Sequence, residues 1–292
     1  MQPRTVVANG IRHAYLEQGP AQGRLLLLLH GFPDNARSWE QQMPVFAQAG
    51  YRVVAPYLRG YPPTGIPARG YYDRATLAQD IAALIGALDG GRPAFLVAQD
   101  WGAAIAYGVL GAFPELIERA VLLAVPHPVQ IRRTLRRSPR HIVRSFHWFL
   151  FQLPVLPEAL CRAGNFAFIE WLWRLWSPAY DDRDHVAQIK RMLAEPGAMS
   201  ATLAYYRAAL QQRFQDPALA DLRARLDRPT PVPTRVVCGT RDMRREMLPG
   251  QGEFFTGPYD WATVEGAGHF LHREKPAEVN RLVLEWLGRP SN

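Results

Sequence analysis

The sequence predicts an α/β fold in which a mostly parallel sheet, flanked by helices, is interrupted by an inserted helical lid. Two observations carry that prediction. Short runs of continuous apolar residues, the mark of parallel strands covered on both faces, alternate with segments of helical periodicity. The alternation stops at Pro126 and resumes only beyond Pro231.

Taken in order, "RLLLLLHG" (24–31) reads as a buried strand, because nothing polar interrupts its apolar run. "SWEQQMPVFAQAG" suggests a helix stopped by Gly50, and "YRVVAPYL" a second buried strand. "TLAQDIAALIGALDGG" (76–91) sets apolar residues at helical spacing and ends on glycine. "AFLVAQ", "WGAAIAYGVLGAF" and "RAVLLAVP" read as strand, helix and strand. Right-handed βαβ units and a parallel sheet follow from that alternation. From Pro126 to about Pro231 the segments are helical and aromatic, with no convincing strand. "PTPVPT" (229–234) stiffens the return, "RVVCGT" (235–240) and "YDWATV" restore strands, and "PAEVNRLVLEWLG" supplies a last helix. The expected organisation is a sheet core built from 1–126 and 232–292, with the helical lid at 127–231.

At 292 residues the chain is long enough for one large α/β domain carrying such an insertion. Its 48% hydrophobic and 21% charged residues are a globular balance and exclude a disordered one. Cys161 and Cys238 stand far apart, with no CxxC pair and no metal-ligand spacing, which argues against a disulfide framework or structural zinc. The start "MQPRTVVANG" lacks a long apolar signal segment, so a cytoplasmic location is expected. "LLLLLH" is too short, and "FHWFLFQLPVLP" too broken by prolines, to span a bilayer. The formal charge of +8 invites a nucleic-acid partner. Much of the excess lies in "IRRTLRRSPRHIVR" (131–144), however, and no nucleic-acid module signature accompanies it. That stretch reads as a solvated helix face, with an anion or membrane contact as the alternative.

In "LVAQDWGAAIAYG" (96–108) an aspartate stands between small residues where a strand gives way to a helix. Asp100 either caps that helix or is exposed there to react. Ala98 and Gly102, two residues to either side, are the small types that a tight strand-turn-helix, the nucleophile elbow, requires. A capping aspartate needs no such flanks. The elbow sets its central side chain at the C-terminal edge of the sheet, where doubly wound folds bind ligands. Its partners should follow in the chain order nucleophile, acid, histidine. "CGTRD" puts Asp242 just past the strand resumed after the lid, and "VEGAGHF" puts His269 in a glycine-rich loop after the last strand. The strand ending "LLAVPHP" has no carboxylate just beyond it, which favours Asp242 as the acid. His30 reads as a structural anchor of its own loop. "HGFPD" follows the first long strand, and the backbone N–H groups of Phe32 and Trp101 are expected to face a developing oxyanion.

A carboxylate nucleophile selects its chemistry. It attacks an sp³ carbon and forms an alkyl ester of the enzyme, after which histidine activates water against the Asp100 carbonyl carbon. Epoxides or alkyl halides suit that sequence, and ordinary esters do not.

Taken together, "HGFPDNARSW", "PYLRGY", "QDWGAAIAY", "GTRD" and "GAGHFLHREKP" resemble the α/β-hydrolases of the epoxide hydrolase group, over essentially the full chain. The resemblance implies the α/β-hydrolase fold, the two-step ester mechanism, and no metal or organic cofactor. Phe32 resembles that group too, since haloalkane dehalogenases often place there an asparagine whose N–H helps to cradle halide. "LAYYRAAL" resembles the lid segment carrying a tyrosine that protonates the opening epoxide, and aligns Tyr206 with it. The alternative is a buried structural tyrosine. Two positions depart from the group. Leu150 stands in "SFHWFLFQLP" where a second lid tyrosine is aligned, with His147 as a substitute donor, and Gln99 stands where histidine is common. His147 and Leu150 are thus the expected substrate contacts of the lid. The aromatic stretch "NFAFIEWLWRLW" (165–176) reads as lid core that also lines an apolar pocket. The expected function is hydrolysis of a small apolar-to-amphipathic epoxide to a diol, with Asp100, Asp242, His269 and Tyr206 as catalytic residues. The alternatives are a haloalkane or haloacid dehalogenase on the same three residues, or a non-catalytic small-molecule receptor. The sequence leaves a homodimer open.

Overall fold

In the computed structural model, which describes residues 1–67 and 70–289, eight strands form one sheet. They are β1 (Arg4–Ala8), β2 (Ile11–Gln18), β3 (Leu25–Leu29), β4 (Arg52–Pro56), β5 (Ala94–Gln99), β6 (Ile117–Leu123), β7 (Thr234–Gly239) and β8 (Tyr259–Val264). Their spatial order is β1, β2, β4, β3, β5, β6, β7, β8. Every pairing from β4 to β8 is parallel, while β2 pairs antiparallel with both β1 and β4.

The strands β3 to β8 are those the apolar runs announce. Every residue of β3, β5 and β7 is buried, as strands covered on both faces must be. The antiparallel hairpin β1–β2 was not among the expected strands. Its edge strand is mostly exposed, so no continuous apolar run marks it. Its turn, Asn9–Gly10, has φ of 48° and 72°, the positive pair that a two-residue hairpin turn needs. That dipeptide was the available signal.

Helices α1 (Met43–Gln48), α2 (Arg74–Asp89) and α3 (Trp101–Ala112) connect strands of the first part of the sheet. The helix expected over 38–50 is shorter than its sequence pattern: a 3-10 turn covers Ala36–Trp39, and α1 begins beside Pro44, whose missing N–H is tolerated only in a first turn. Between β6 and β7 lie α4 (Pro128–Arg137), α5 (Pro139–Arg144), α6 (Phe146–Leu150), α7 (Leu156–Trp176), α8 (Arg183–Ala194), α9 (Ala198–Leu210) and α10 (Ala220–Arg223). No strand interrupts them among the described residues. After β8, α11 (Leu271–Glu274) and α12 (Pro276–Leu287) end the chain's regular structure. Residue 292, the expected limit of the core, lies outside the described residues.

The inserted helices are tied to the sheet by polar contacts. Trp173 Nε1 of α7 donates to the Pro33 carbonyl at 3.0 Å, and His185 Nε2 of α8 lies 2.7 Å from Asp34 Oδ1. Arg273 pairs with Asp182 at 2.5 Å, and Asp227 bridges Arg74 and Arg132 at 2.8 and 2.6 Å. No helix of the described residues is long and apolar enough to cross a membrane.

Candidate active site

The turn between β5 and α3 is where the backbone departs from common geometry. Asp100 has φ 51° and ψ −119°, a conformation that non-glycine residues rarely adopt and that clusters at functional turns. Its side chain makes no capping bond to α3. The neighbouring glycines are demanded by contact. A Cβ on Gly102 would fall 2.3 Å from the Leu29 carbonyl oxygen, and one on Gly31 would fall 2.6 Å from Asp100 Oδ1 and 2.8 Å from Trp101 N. The backbones of "HGF" and of the elbow therefore meet with no room for a side chain between them.

Within that contact the Phe32 N–H donates to Asp100 Oδ1 at 2.9 Å. Trp101 N lies beside the same atom, at the N-terminal end of α3, where backbone N–H groups lack helical partners. His30 supports the loop from beneath. It is fully buried, its Nε2 accepts from Leu58 N at 3.1 Å, and its Nδ1 accordingly donates to the Gly31 carbonyl at 3.0 Å. Burial pushes its pKa down to about 4, so it stands there as a neutral ring.

The loops after β7 and β8 bring the other two residues to Asp100. His269 Nδ1 lies 2.9 Å from Asp242 Oδ2, and His269 Nε2 lies 3.3 Å from Asp100 Oδ2. Asp242 Oδ1 is occupied by the Arg244 N–H at 2.8 Å, which fixes the carboxylate's orientation. The short contact with a carboxylate assigns a proton to Nδ1, leaving Nε2 directed at Asp100. Nε2 has no aligned hydrogen-bond partner of its own. The elbow of β5 and the loops after β7 and β8 thus join three residues separated by most of the chain.

Burial opposes ionisation of all three groups, but their mutual contacts outweigh it. The pKa of Asp100 is lowered: His269, Arg244 and the Phe32 N–H more than offset desolvation. Asp242 is lowered in the same way by His269 and Arg244. His269 is raised above its ordinary value, because Asp100 and Asp242 hold its positive form against the cost of burial. The resting site is therefore a charged cluster of two carboxylates and an imidazolium-favouring ring.

A cavity of about 330 Å³ opens onto Asp100, lined among others by Trp101, Trp148, Tyr206, Met247 and Arg244. Tyr206, on α9, is buried, and its ring meets that of Trp101 edge-on, with centroids 5.0 Å apart. Burial and the charge of Asp100 push its pKa well above 10, so it remains protonated. Its neighbour Tyr205 is spent on structure, donating to the Arg59 carbonyl at 2.7 Å.

His147 and Leu150 line neither this cavity nor the second one, described below. His147 is buried among Phe146, Phe151, Trp176 and Tyr206, and burial pushes its pKa down to about 3. The residue of α6 that lines the cavity with Asp100 is the adjacent Trp148. Its ring stacks on Trp101, with centroids 5.5 Å apart and planes at 23°. Gln99 lies behind the site, with its Nε2 3.4 Å from the His269 carbonyl.

Sequence reasoning missed Trp148, Met243 and Arg244. A short helix such as α6 shows one residue at a time to a cavity, and the apolar pattern around 145–154 does not say which. Arg244 follows Asp242 at once in "RDMRREM", where three arginines in five residues suggest a solvated loop.

Set beside known proteins, residues 26–282 match the model of a family described as the alpha/beta hydrolase family. The AB hydrolase superfamily protein YfhM of Bacillus subtilis is 32% identical over 288 residues, covering 97% of this chain and 96% of that one. Epoxide hydrolase 3 of Xenopus tropicalis is 29% identical, covering 96% of this chain and 75% of its own. Among solved structures, a Bacillus megaterium epoxide hydrolase in complex with an inhibitor superposes with a TM-score of 0.83 at 27% identity, covering 98% of this chain and 100% of that one.

Proposed function

Because the chain belongs to the alpha/beta hydrolase family and is a hydrolase of its epoxide hydrolase-like group, we propose that it opens epoxides through a covalent ester on Asp100. The observation that carries the reading is a carboxylate, not a hydroxyl, at the strained elbow, with a protonated phenol facing the same cavity. Asp100 Oδ2 attacks an epoxide carbon. The Tyr206 O–H donates to the opening oxygen, which would otherwise leave as an alkoxide. Ring opening leaves Asp100 as a neutral alkyl ester, with Oδ1 held by the Phe32 N–H.

That esterification changes His269. One of the two carboxylates that favour its positive form has lost its charge, so its pKa falls and more of the ring is neutral, free to take a proton, when water must be activated. Its Nε2 takes a proton from water, which attacks the Asp100 carboxyl carbon, and Asp242 steadies the resulting imidazolium through Nδ1. The Phe32 and Trp101 N–H groups receive the oxyanion of the tetrahedral intermediate. Collapse frees the second diol oxygen, which takes the proton from the His269 imidazolium, while the proton left on the Asp100 carboxyl returns to the Tyr206 oxygen and restores the resting site. In this reading residues 127–231 form a cap that supplies Tyr206 and closes the cavity.

The test is one turnover in heavy-oxygen water. Attack of water on the ester carbon leaves the label in the Asp100 carboxylate and none in the diol. Label appearing first in the diol would make Asp100 a base and remove the covalent mechanism.

A dehalogenase is the second reading, favoured by one observation: two indoles, Trp101 and Trp148, line the cavity beside Asp100 and offer N–H donors to a halide. Against it, Phe32 has no side-chain donor. Halide release from a chloroalkane and chloroacetate panel separates the two. Turnover on either panel removes a non-catalytic receptor.

A further inference from the structure

Arg244 favours the ionised forms of Asp100 and Asp242 from a distance but makes no ion pair with either. Its side chain belongs to a residue only 9% exposed, it lines the Asp100 cavity, and it also lines a second cavity of about 460 Å³ that reaches His269 and Asp242. No carboxylate among the described residues lies within 4.0 Å of its guanidinium. Its one side-chain contact is Nη1 to His269 Nδ1 at 3.3 Å, and that nitrogen already gives its proton to Asp242. The other arginines of the Asp100 cavity differ. Arg74 and Arg132 pair with Asp227, and Arg223 lies 3.5 Å from Asp73. A guanidinium carries five N–H donors and no acceptor, and the donors of Arg244 open onto these two cavities.

The surroundings say what kind of acceptor would fit. The cavity wall beside Arg244 is apolar, built from Trp101, Trp148, Leu135, Met243 and Met247. In the first cavity Arg132 is paired with Asp227, and Arg223 lies by Asp73, so among the described residues Arg244 is the cation there without an ion pair; Arg144 and Arg241 add positive charge to the lining of the second. We propose that Arg244 is a specificity-determining residue that binds the carboxylate of an amphipathic epoxy acid, whose apolar body lies against Trp101 and Trp148 while its epoxide meets Asp100. A carboxylate matches the planar fork of a guanidinium with two parallel hydrogen bonds. The inference rests on reading the site as an epoxide hydrolase, and it adds the substrate's charge.

The test compares acid and amide in matched pairs: 4-(oxiran-2-yl)benzoate with its benzamide, and 3,4-epoxybutanoate with its amide. Charge-assisted hydrogen bonds of this kind favour the acid by roughly 10- to 100-fold in kcat/KM. Arg244→Gln is expected to abolish that preference and Arg244→Lys to keep part of it, with the change falling on KM more than on kcat. Calorimetry with unreactive 4-ethylbenzoate and 4-ethylbenzamide gives a readout free of chemistry, so a variant that loses turnover is still informative. Equal binding of acid and amide by the wild-type protein, or a preference that survives Arg244→Gln, overturns the proposal. Turnover of the epoxides without an acid preference overturns the role of Arg244 alone. An Arg244-dependent preference for 4-ethylbenzoate without epoxide turnover upholds the anion site and overturns the epoxide reading.

Discussion

Alkylation and hydrolysis ask opposite things of single residues, and that separates their variants. His269→Gln keeps the nucleophile and the acid but loses the base. It is expected to react once and stall, carrying substrate mass on the peptide that contains Asp100. Asp100→Asn should carry none, because an amide is a poor nucleophile. Tyr206→Phe removes only a hydroxyl from a packed ring, so stability should hold while epoxide turnover falls by roughly 10²–10⁴-fold. Full activity in that variant would return Tyr206 to a structural role. The raised pKa of His269 sets a pH dependence. Hydrolysis needs the neutral ring in the ester intermediate, where Asp100 has lost its charge, so kcat should rise with pH and level off below the raised value of the resting enzyme. Stability moves the other way. A group with a raised folded pKa contributes stabilisation that is complete below its unfolded value and fades as pH passes the folded one. Thermal melts of wild type and His269→Gln across that range check the sign.

At the scale of elements, the C-terminal end of α7 holds the loop that carries His269. The His269 N–H donates to the Trp176 carbonyl at 3.0 Å, and the Phe270 N–H to Ser177 Oγ at 3.1 Å. Ser177 in turn donates to Glu274 at 2.6 Å, and Glu274 also receives the Gly268 N–H. Beside them the Trp173 and Phe270 rings stack. The insertion thus positions His269, the proposed base, as well as lining the cavity onto which Asp100 opens. Ser177→Ala leaves a buried N–H without its acceptor, a loss of about 1–3 kcal/mol. The melting temperature should fall by roughly 2–4 °C for each kcal/mol. Ester hydrolysis should slow more than alkylation, visible as ester accumulating in the steady state. An unchanged partition between the two steps would mean that Glu274 and Trp176 suffice to place the loop.

For the whole molecule, the joint between sheet and insertion is held by ionised carboxylates. Asp34 is held down to about 2: His185, Arg273 and His272 outweigh its burial. Asp182 and Asp227 are also brought to about 2, the first by Arg273 and the second by Arg74 and Arg132, each against the penalty of burial. A lowered carboxylate contributes stability above its unfolded pKa and loses it as pH falls through the folded value. The protein should therefore melt at a nearly constant temperature above about pH 5 and destabilise steeply from about pH 4 toward 2. Asp227→Asn should lower the plateau and flatten the acid limb. An acid limb of unchanged depth in that variant would place the loss at other carboxylates.

The division between what the sequence determined and what folding decided follows from the range of the interactions involved. Continuous apolar runs are local, so β3 through β8 were legible, as was the break after Pro126. The elbow was legible because a strained turn demands small residues at fixed offsets, and Ala98 and Gly102 stand at those offsets in plain sequence. Chain order then pointed to Asp242 and His269. The exposed hairpin β1–β2 escaped, since an edge strand needs no apolar run, although Asn9–Gly10 marked its turn. The face of the insertion turned toward Asp100 was decided by tertiary packing alone. Trp148 instead of His147 or Leu150 reaches the cavity because the docking of α6 against α9 sets the rotation of one short helix, and no periodicity within five residues records that angle. Arg244 gives the same lesson in charge. In sequence it is one arginine among several in a basic loop, and only its place beside His269 at the Asp100 cavity, with no ion-paired carboxylate among the described residues, sets it apart.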